Sequence, residues 1–594
     1  MYSTSSLILL LLLITLYLTL AQEELESILK RKDVEETTTS SGLTPLTTNI
    51  EITTSTTDDT SDSDSEEAAQ SMNQDIYNSK DLFKKEPSVT NVTNLVQVKL
   101  YCEVDTALCS EVETVLIAAA NEFAKVVNLK TRIIFQTSYY SFCVNQCANS
   151  TYGWGSPSSQ FTLISLNEAD SNFIYPQALA KQLAQFTDSS NWANYDVAID
   201  INHDIHMNAA NQTGLNTTSI PLQGGFYFGN DTIQDYQIDL EYVILHQMIH
   251  GLGMVSSWAP YFSDTTSPFQ KLLSGLITPE DSLKIMTPSP HWYVRHATGP
   301  AYITGFQPNL IFDKFLYLFI SARNQTIWLG EYGFDMQGFC VQDNEAFIVN
   351  FMNAFLNNAT QSTKAKTIYV SMSMSKTMTF EFSPLSSQSV YYTNAYLNQT
   401  YKSMQLMTGV ISKQNEGYYR PGISTSHVDD SYMGTPDFLM THTFVKGKAL
   451  ADLVQEGYSQ IPDIEYNVTT TVPTNITTYH NVTVGNHTVL NATLTTEERN
   501  VTVQYKYKSP IGPGILRILE TIGYSTVLTN TNYSASIIKT TKPDTTCDDT
   551  NSNDFQSRSD DSSTTTALSL AQPQSEFSSV FSVFVLLTLI WIIQ

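Results

Sequence analysis

The sequence predicts an α/β (α+β) protein with a twisted mixed sheet, an internal apolar helix and disordered flanks, and three observations carry that expectation. Strand-like alternation and helix-like periodicity take turns between residues 96 and 201, the pattern of a sheet with helices packed on it. A long apolar helical pattern follows from about Ile238 to Leu252. Both ends of the folded part run into Ser-, Thr-, Asp- and Glu-rich sequence that cannot bury a core.

Taken in order, Val96 to Tyr101 alternates as a strand, Glu111 to Asn128 has helical periodicity, and Thr131 to Gln136 reads as a second strand. Ala178 to Phe186 suggests a helix and Tyr195 to Ile201 a third strand. Gly225 to Asp231 is a turn-rich strand, and the apolar helix after it is stopped by Gly251 and Gly253. Further helical patterns cover Ile311 to Ala322 and Glu345 to Asn357. From Asn467 to Asn500 an alternating Thr/Val run reads as a hairpin standing off the body, with low-complexity disorder as the alternative. Ile511 to Tyr524 is a Gly/Pro turn leading into an amphipathic helix.

Leu7 to Leu20 is apolar and ends before Ala21, as in a secretory signal peptide, although no Lys or Arg precedes it; a membrane anchor is the competing reading. The other terminus carries Ser/Thr/Asp-rich sequence from Thr541 to Thr566, then apolar Phe577 to Ile593. With no basic cluster beyond it, this resembles a GPI-attachment signal with attachment near Ser559 to Ser563; a single-pass anchor is the alternative. Lys30-Arg31-Lys32 reads either as a propeptide processing site or as a solvated basic cluster.

Fifteen N-x-S/T sequons fit an exported glycoprotein: Asn91, Asn149, Asn211, Asn216, Asn230, Asn324, Asn358, Asn398, Asn467, Asn475, Asn481, Asn486, Asn491, Asn500 and Asn532. Six cysteines without a C-x-x-C pair imply disulfides, not a cysteine-built zinc site. Cys102 with Cys109 and Cys143 with Cys147 are near neighbours, leaving Cys340 and Cys547, although the spacing fixes none of the pairings. A net charge of −27 argues against nucleic acid and anionic membrane surfaces as partners.

The chemistry is concentrated in Leu245-His246-Gln247-Met248-Ile249-His250-Gly251-Leu252-Gly253. Histidines four apart on a helix project from one face, as shared ligation of a metal requires. The usual signature is H-E-x-x-H, in which the Glu accepts the proton of the attacking water; here that position is Gln247, its neutral isostere. Two histidines leave a catalytic zinc one protein ligand short. His427, His203, His206, His291 and His296 are the candidates for a third.

Ser424-Thr425-Ser426-His427-Val428-Asp429-Asp430, followed by Asp437-Phe438-Leu439-Met440, makes the chain similar to leishmanolysin and related secreted metzincin-like peptidases. In those, an inserted segment separates the helix from the third ligand. Phe226 to Gly229, Ile311 to Leu316 and the terminal Gly512-Pro513-Gly514 to Tyr524 element recur in the same order. The likeness covers roughly residues 195–265 and 305–525, in short sharp islands. The histidine six residues after the second ligand, found in compact metzincins, is replaced by Ser256.

The resemblance implies one zinc ion held by His246, His250 and His427, with Met440 as the Met-turn residue beneath it and Gln247 in the general-base position. It also places Asp429 and Asp430 behind the ligand histidine, away from a substrate. The chain then divides into a signal peptide (1–21), an acidic Ser/Thr-rich segment (22–92), an N-terminal zincin subdomain (93–258) and an insertion (259–420). A helical C-terminal subdomain with the Met-turn and glycosylated hairpin (421–535), a stalk (536–570) and the GPI-attachment signal or anchor (571–594) complete it. The function expected is that of a GPI-anchored cell-surface protein that binds zinc and extracellular peptide or protein segments, with catalysis impaired at Gln247. The alternatives are an active surface zinc endopeptidase with a relocated base and a structural or adhesive coat protein without metal.

Overall fold

Five strands form the sheet on which the site is built: β1 (Ser88–Asn91), β2 (Val96–Cys102), β3 (Ile133–Tyr140), β4 (Gly153–Pro157) and β5 (Val197–Asn202). The computed structural model describes residues 83–144, 150–163, 166, 169–184, 192–212, 220–221, 223–259, 280–294, 301–341, 348–383, 389–411, 417–419, 422–529 and 539–541. These belong to one of the two units into which the chain divides, the one spanning Thr39–Cys547. The leader, the basic triplet and the apolar C-terminal stretch lie outside the described residues. So do Asn149, Asn216, Asn532 and the side chain of Asn211, together with Cys147 and Cys547. Among the described residues no helix is long and apolar enough to cross a membrane.

The sheet order is β1-β2-β3-β5-β4, with β2, β3 and β5 parallel and the two outer strands antiparallel. This is a mixed α and β architecture, as the alternating patterns predict. Helix α1 (Thr106–Val126) starts five residues earlier than its periodicity suggests, because Asp105 accepts hydrogen bonds from the amides of Ala107 and Leu108. A disulfide between Cys102 and Cys109 ties the end of β2 to the first turn of α1. Cys143 and Cys340 are disulfide-bonded as well. Helix α2 (Gln177–Leu183) carries Lys181, whose ammonium reaches the buried carboxylate of Asp196 at 2.9 Å.

Helix α3 (Leu240–Gly251) is capped by Asp239 and is buried on every side, so it runs through the core instead of lining it. It lies against β4 and β5 with no room to spare. A methyl group on Gly251 would meet Val197 of β5 at 2.1 Å. The helix ends where the predicted stop falls: Gly253 has φ +120°, and its amide donates to His250 O at 3.0 Å.

One expectation is corrected. Ile311 to Ala322 is not a helix: a 3-10 turn over Ile311–Phe315 leads into strand β6 (Leu316–Ile320). Leu316, Leu318 and Ile320 face inward, so the true period is two, which a short apolar run does not separate from a helical one. β6 pairs with β7 (Gln325–Trp328) and β8 (Met378–Glu381), and β9 (Ser403–Gln405) completes this second sheet. The Thr/Val run is an antiparallel ribbon of β10 (Glu465–Val484) and β11 (His487–Lys506), longer than the predicted hairpin at both ends.

Helix α4 (Pro513–Ile522) closes the core, and all ten of its residues are buried. Burial holds the Glu520 carboxyl up at about 8 against an ordinary 4.5. Thr526 Oγ1 donates to one of its oxygens, while the other, Oε2, is buried without a hydrogen-bond partner. The folded state therefore keeps this proton over a range in which the unfolded chain has lost it. Stability from the group is complete below its ordinary value and is lost as the pH rises through about 8. Glu520→Gln is accordingly expected to unfold at a higher temperature than the wild type at alkaline pH, with the gap closing toward pH 4.5. Melting curves that run parallel across this range would show that Glu520 does not titrate there.

Candidate metal site

The three histidines selected by spacing and resemblance meet, although His427 lies 177 residues beyond His250 in the chain. Their Nε2 atoms form a triangle: His246 to His250 at 3.1 Å, His246 to His427 at 3.1 Å and His250 to His427 at 3.2 Å. Each ring is fixed from behind by a backbone carbonyl. His246 Nδ1 lies 2.7 Å from Leu439 O, His250 Nδ1 2.9 Å from Met254 O, and His427 Nδ1 3.0 Å from Ile423 O. A carbonyl only accepts, so each Nδ1 holds the ring's proton and each Nε2 presents a bare lone pair.

Burial, reinforced by the neighbouring imidazoles, pushes the basicity of His246 and His427 far below normal; burial, partly offset by the Met254 carbonyl, puts His250 at about 4. Three neutral rings thus aim three lone pairs at one point, an arrangement that repels itself until a cation enters. The triangle's edges are close to the roughly 3.3 Å that tetrahedral ligation at about 2.0–2.1 Å requires. Three imidazoles with carbonyl partners behind them are a donor set suited to zinc and other borderline divalent ions.

The sequence islands around the triangle hold it in place. Met440 is fully buried at the end of a 3-10 turn, Phe438–Met440, and Leu439 in that turn supplies the carbonyl for His246. Val428 N donates to Met440 O at 2.9 Å, lacing the turn to the strand-like segment that presents His427. Asp437 accepts from the amides of Gly514 and Ile515 at 2.8 and 3.0 Å, bolting the same turn to the start of α4. Ser256, where a compact arrangement would place a third histidine, instead donates to Asp313 Oδ1 at 2.6 Å. Ser257 N donates to the other Asp313 oxygen at 2.8 Å, so Asp313 ties the Ile311–Phe315 turn to the loop after α3.

The family described as SPBPB7E8-like matches residues 52–567, well over half of the chain. The chain belongs to that family. It is also 25% identical over 206 residues to the Schizosaccharomyces pombe protein described as "Uncharacterized protein PB7E8.01", a match covering 32% of each chain. The chain thus spans about a third of the length of that curated relative. No solved structure matches.

Within this SPBPB7E8-like chain, Gln247 occupies the step of α3 between the two helical histidines and is buried, only 5% exposed. Its side chain lies beside β4: a Cβ on Gly153 would stand 3.6 Å from Gln247 Cγ, and one on Gly155 would strike the Gln247 backbone. Asp429 and Asp430 are engaged elsewhere. Asp429 accepts from Ser431 N at 3.0 Å and faces Lys376 at 3.8 Å, while Asp430 accepts from Thr443 Oγ1 at 2.8 Å.

His203 and His206 belong to a separate aromatic cluster, where His203 Nδ1 sits 3.2 Å from Tyr139 Oη and His206 stacks on Phe226. His291 and His296 have no described side chains. Sequence reasoning missed two neighbours of the triangle. His442 packs edge-on against His427 with ring centres 5.6 Å apart, and Phe444 lies 4.9 Å from the His246 ring. Their place just after Met440 was the one available signal.

Of the sequons with described side chains, Asn91, Asn230, Asn324, Asn398 and all six on or between the ribbon strands are exposed, and Asn358 is half-buried. Asn358 also caps a helix, accepting from the amides of Thr360 and Gln361.

Proposed function

We propose that this chain is an exported, GPI-anchored glycoprotein of the outer cell surface, built on a metzincin-like zincin plan, that binds one zinc ion and handles peptide segments without hydrolysing them efficiently. The observation that carries this reading is the triangle of buried Nε2 atoms, each ring locked in the tautomer that ligation needs. His246, His250 and His427 hold the ion. Zinc, when bound, supplies Lewis acidity toward a substrate carbonyl.

The remaining chemistry belongs to Gln247. Its amide donates and accepts hydrogen bonds and so orients a water or a peptide group, but it takes up no proton at ordinary pH. Loss of a positioned base costs about 10²–10⁴-fold in rate. Asp429 and Asp430, the carboxylates that follow His427 in the chain, do not restore it, since they are turned to Ser431, Lys376 and Thr443. A peptide-binding role is supported by β4, which ends the sheet beside Gln247 and among the described residues pairs with β5 alone. An extended segment adds to such an edge through main-chain hydrogen bonds. Exposed sequons support the exported, glycosylated part of the reading.

The test is the zinc content of the purified chain, wild type beside His427→Ala. A single zinc per wild-type chain is expected, with affinity in the variant falling by more than the 10–100-fold typical of losing an outer hydrogen-bond partner. A folded wild type that takes up no zinc after equilibration with the ion would refute the reading and leave the triangle a relic of the fold.

A further inference from the structure

The face of the first sheet turned away from α3 carries a carboxylate that the zinc site does not use. Gly153 and Gly155 of β4 face the helix, since a Cβ on either would meet Gln247, so Trp154 between them points to the other side. The register sets four residues in one row there. Tyr101 of β2 is paired with Ser138 of β3, Ser138 with Asp200 of β5, and Asp200 with Trp154. Ser138 and Asp200 thus lie between two aromatic side chains. A run of ring contacts joins the ends of the row: Tyr101 is 5.3 Å from Phe83, Phe83 6.1 Å from Tyr140, Tyr140 5.1 Å from Phe142, and Phe142 4.4 Å from Trp154.

Asp200 is half-buried among these rings, and the Ser138 hydroxyl is its hydrogen-bond partner. Among the described residues it has no ion pair; Lys99, the lysine on the same face, donates to Asn194 O at 2.8 Å instead. Burial holds the Asp200 carboxyl up at about 7, and the Ser138 hydrogen bond offsets this only in part. Burial, and then the charge of Asp200, raises the phenols of Tyr140 and Tyr195, so both stay protonated near it.

A carboxylate drawn out of water gains most from a cation, and aromatic faces attract the same charge. We propose that this recess binds the ammonium of a lysine side chain carried by a partner polypeptide. Charge complementarity selects a cation, and the acceptors select its kind. An ammonium has three donors clustered at one atom, and the Asp200 oxygens, Ser138 Oγ and the phenol oxygens of Tyr140 and Tyr195 offer acceptors for them. A guanidinium spreads its donors over a flat fork that favours a carboxylate free for bidentate pairing, and Ser138 already takes part of Asp200. The rings suit the methylene stem of a lysine, which is apolar up to its charged end. A polypeptide, and not a free amine, is the occupant that also uses Val89, which lies on this face and stands 54% exposed. The site lies across the sheet from α3 and depends on neither zinc nor Gln247.

Calorimetric titration of the full glycosylated chain in mild detergent at about pH 8, where the Asp200 carboxyl is ionised and lysine is charged, tests this. The probe is acetyl-Ala-Ala-Lys-Ala-Ala-amide, beside the same peptide with its lysine Nε-acetylated, its arginine counterpart, and n-butylamine. The lysine peptide is expected to bind about tenfold or more tightly than the Nε-acetylated one, the order of effect of losing a charge-assisted contact. Asp200→Asn is expected to abolish that difference while zinc content stays that of the wild type. Tyr140→Leu keeps the carboxylate and removes one ring; a loss of roughly threefold or more is expected, which locates the site even if Asp200→Asn disturbs the sheet. Equal binding of the lysine and Nε-acetyl-lysine peptides overturns the proposal. So does a preference that survives in a folded Asp200→Asn, tighter binding of the arginine peptide, or n-butylamine bound as tightly as the lysine peptide. None of these outcomes bears on the zinc reading, which metal content alone decides.

Discussion

Gln247→Glu is expected to raise peptide hydrolysis by about 10²–10⁴-fold in kcat/KM, the range a positioned general base supplies. The substitution is isosteric and sits in the middle of a helix that is buried on every side, so nothing else needs to move. Beside β4 the new carboxyl would lie in a poorly solvated place, since Gln247 is only 5% exposed. Burial raises a carboxyl's pKa, which suits a base working near neutral pH. Zinc content is expected to stay the same, because the position is not a ligand. Initial rates on a quenched-peptide library, measured for wild type and variant at matched zinc, decide the matter. No gain in a fully metallated variant would remove Gln247 as the cause of the low activity proposed. A wild type already fast, and indifferent to the change, would mean that the base has moved elsewhere.

The helical half of the site is legible in the sequence because its logic is local. Two histidines four apart, an apolar run and Gly253 at a left-handed stop specify one turn of helix and the end of it. The third histidine of the triangle is not legible in that way. Nothing near His427 distinguishes it from His203 or His206 by composition, and only the resemblance selects it. The physical reasons for its place lie in backbone atoms that no residue pattern encodes: the Ile423 carbonyl behind its ring, and the hydrogen bonds between Met407 N and His427 O and between Val428 N and Met440 O. The strand β6 was misread because five apolar residues satisfy either period until their neighbours are known. His442 escaped notice because proximity across a turn leaves no spacing to detect.

The islands that recur along the chain acquire a common purpose once their contacts are seen. Ser256, Ser257 and Asp313 join the loop after α3 to the Ile311–Phe315 turn, and Asp437 joins the Met440 turn to α4. Both aspartates are fully buried, and burial lifts each to about 6. They are costly groups held by several donors, spent on fixing the segments that carry the ring-orienting carbonyls. Fold and site are therefore specified by the same residues.

Gly155→Ala is expected to do more damage than its size suggests. A Cβ there would stand 2.1 Å from Gln247 O and 2.7 and 2.8 Å from Gln247 C and Cα. These are backbone atoms of a helix packed on all sides, so no side-chain rotation relieves the clash; β4 must lift away or α3 must shift. Overpacking of this kind costs about 3 kcal/mol or more when the obstacle cannot yield. The displaced backbone lies between His246 and His250, so both lone pairs lose their common aim and zinc affinity falls together with stability. Gly305→Ala is the matched control, since its Cβ would come no closer than 3.2 Å to Phe339 O, and it is expected to cost under about 1 kcal/mol. Urea unfolding midpoints and zinc titrations of the two variants measure both effects. Equal midpoints would mean that β4 is not seated on the helix. A destabilised Gly155→Ala with unaltered zinc affinity would mean that strand and site are uncoupled, and the edge of β4 would lose its claim to present peptides to the metal.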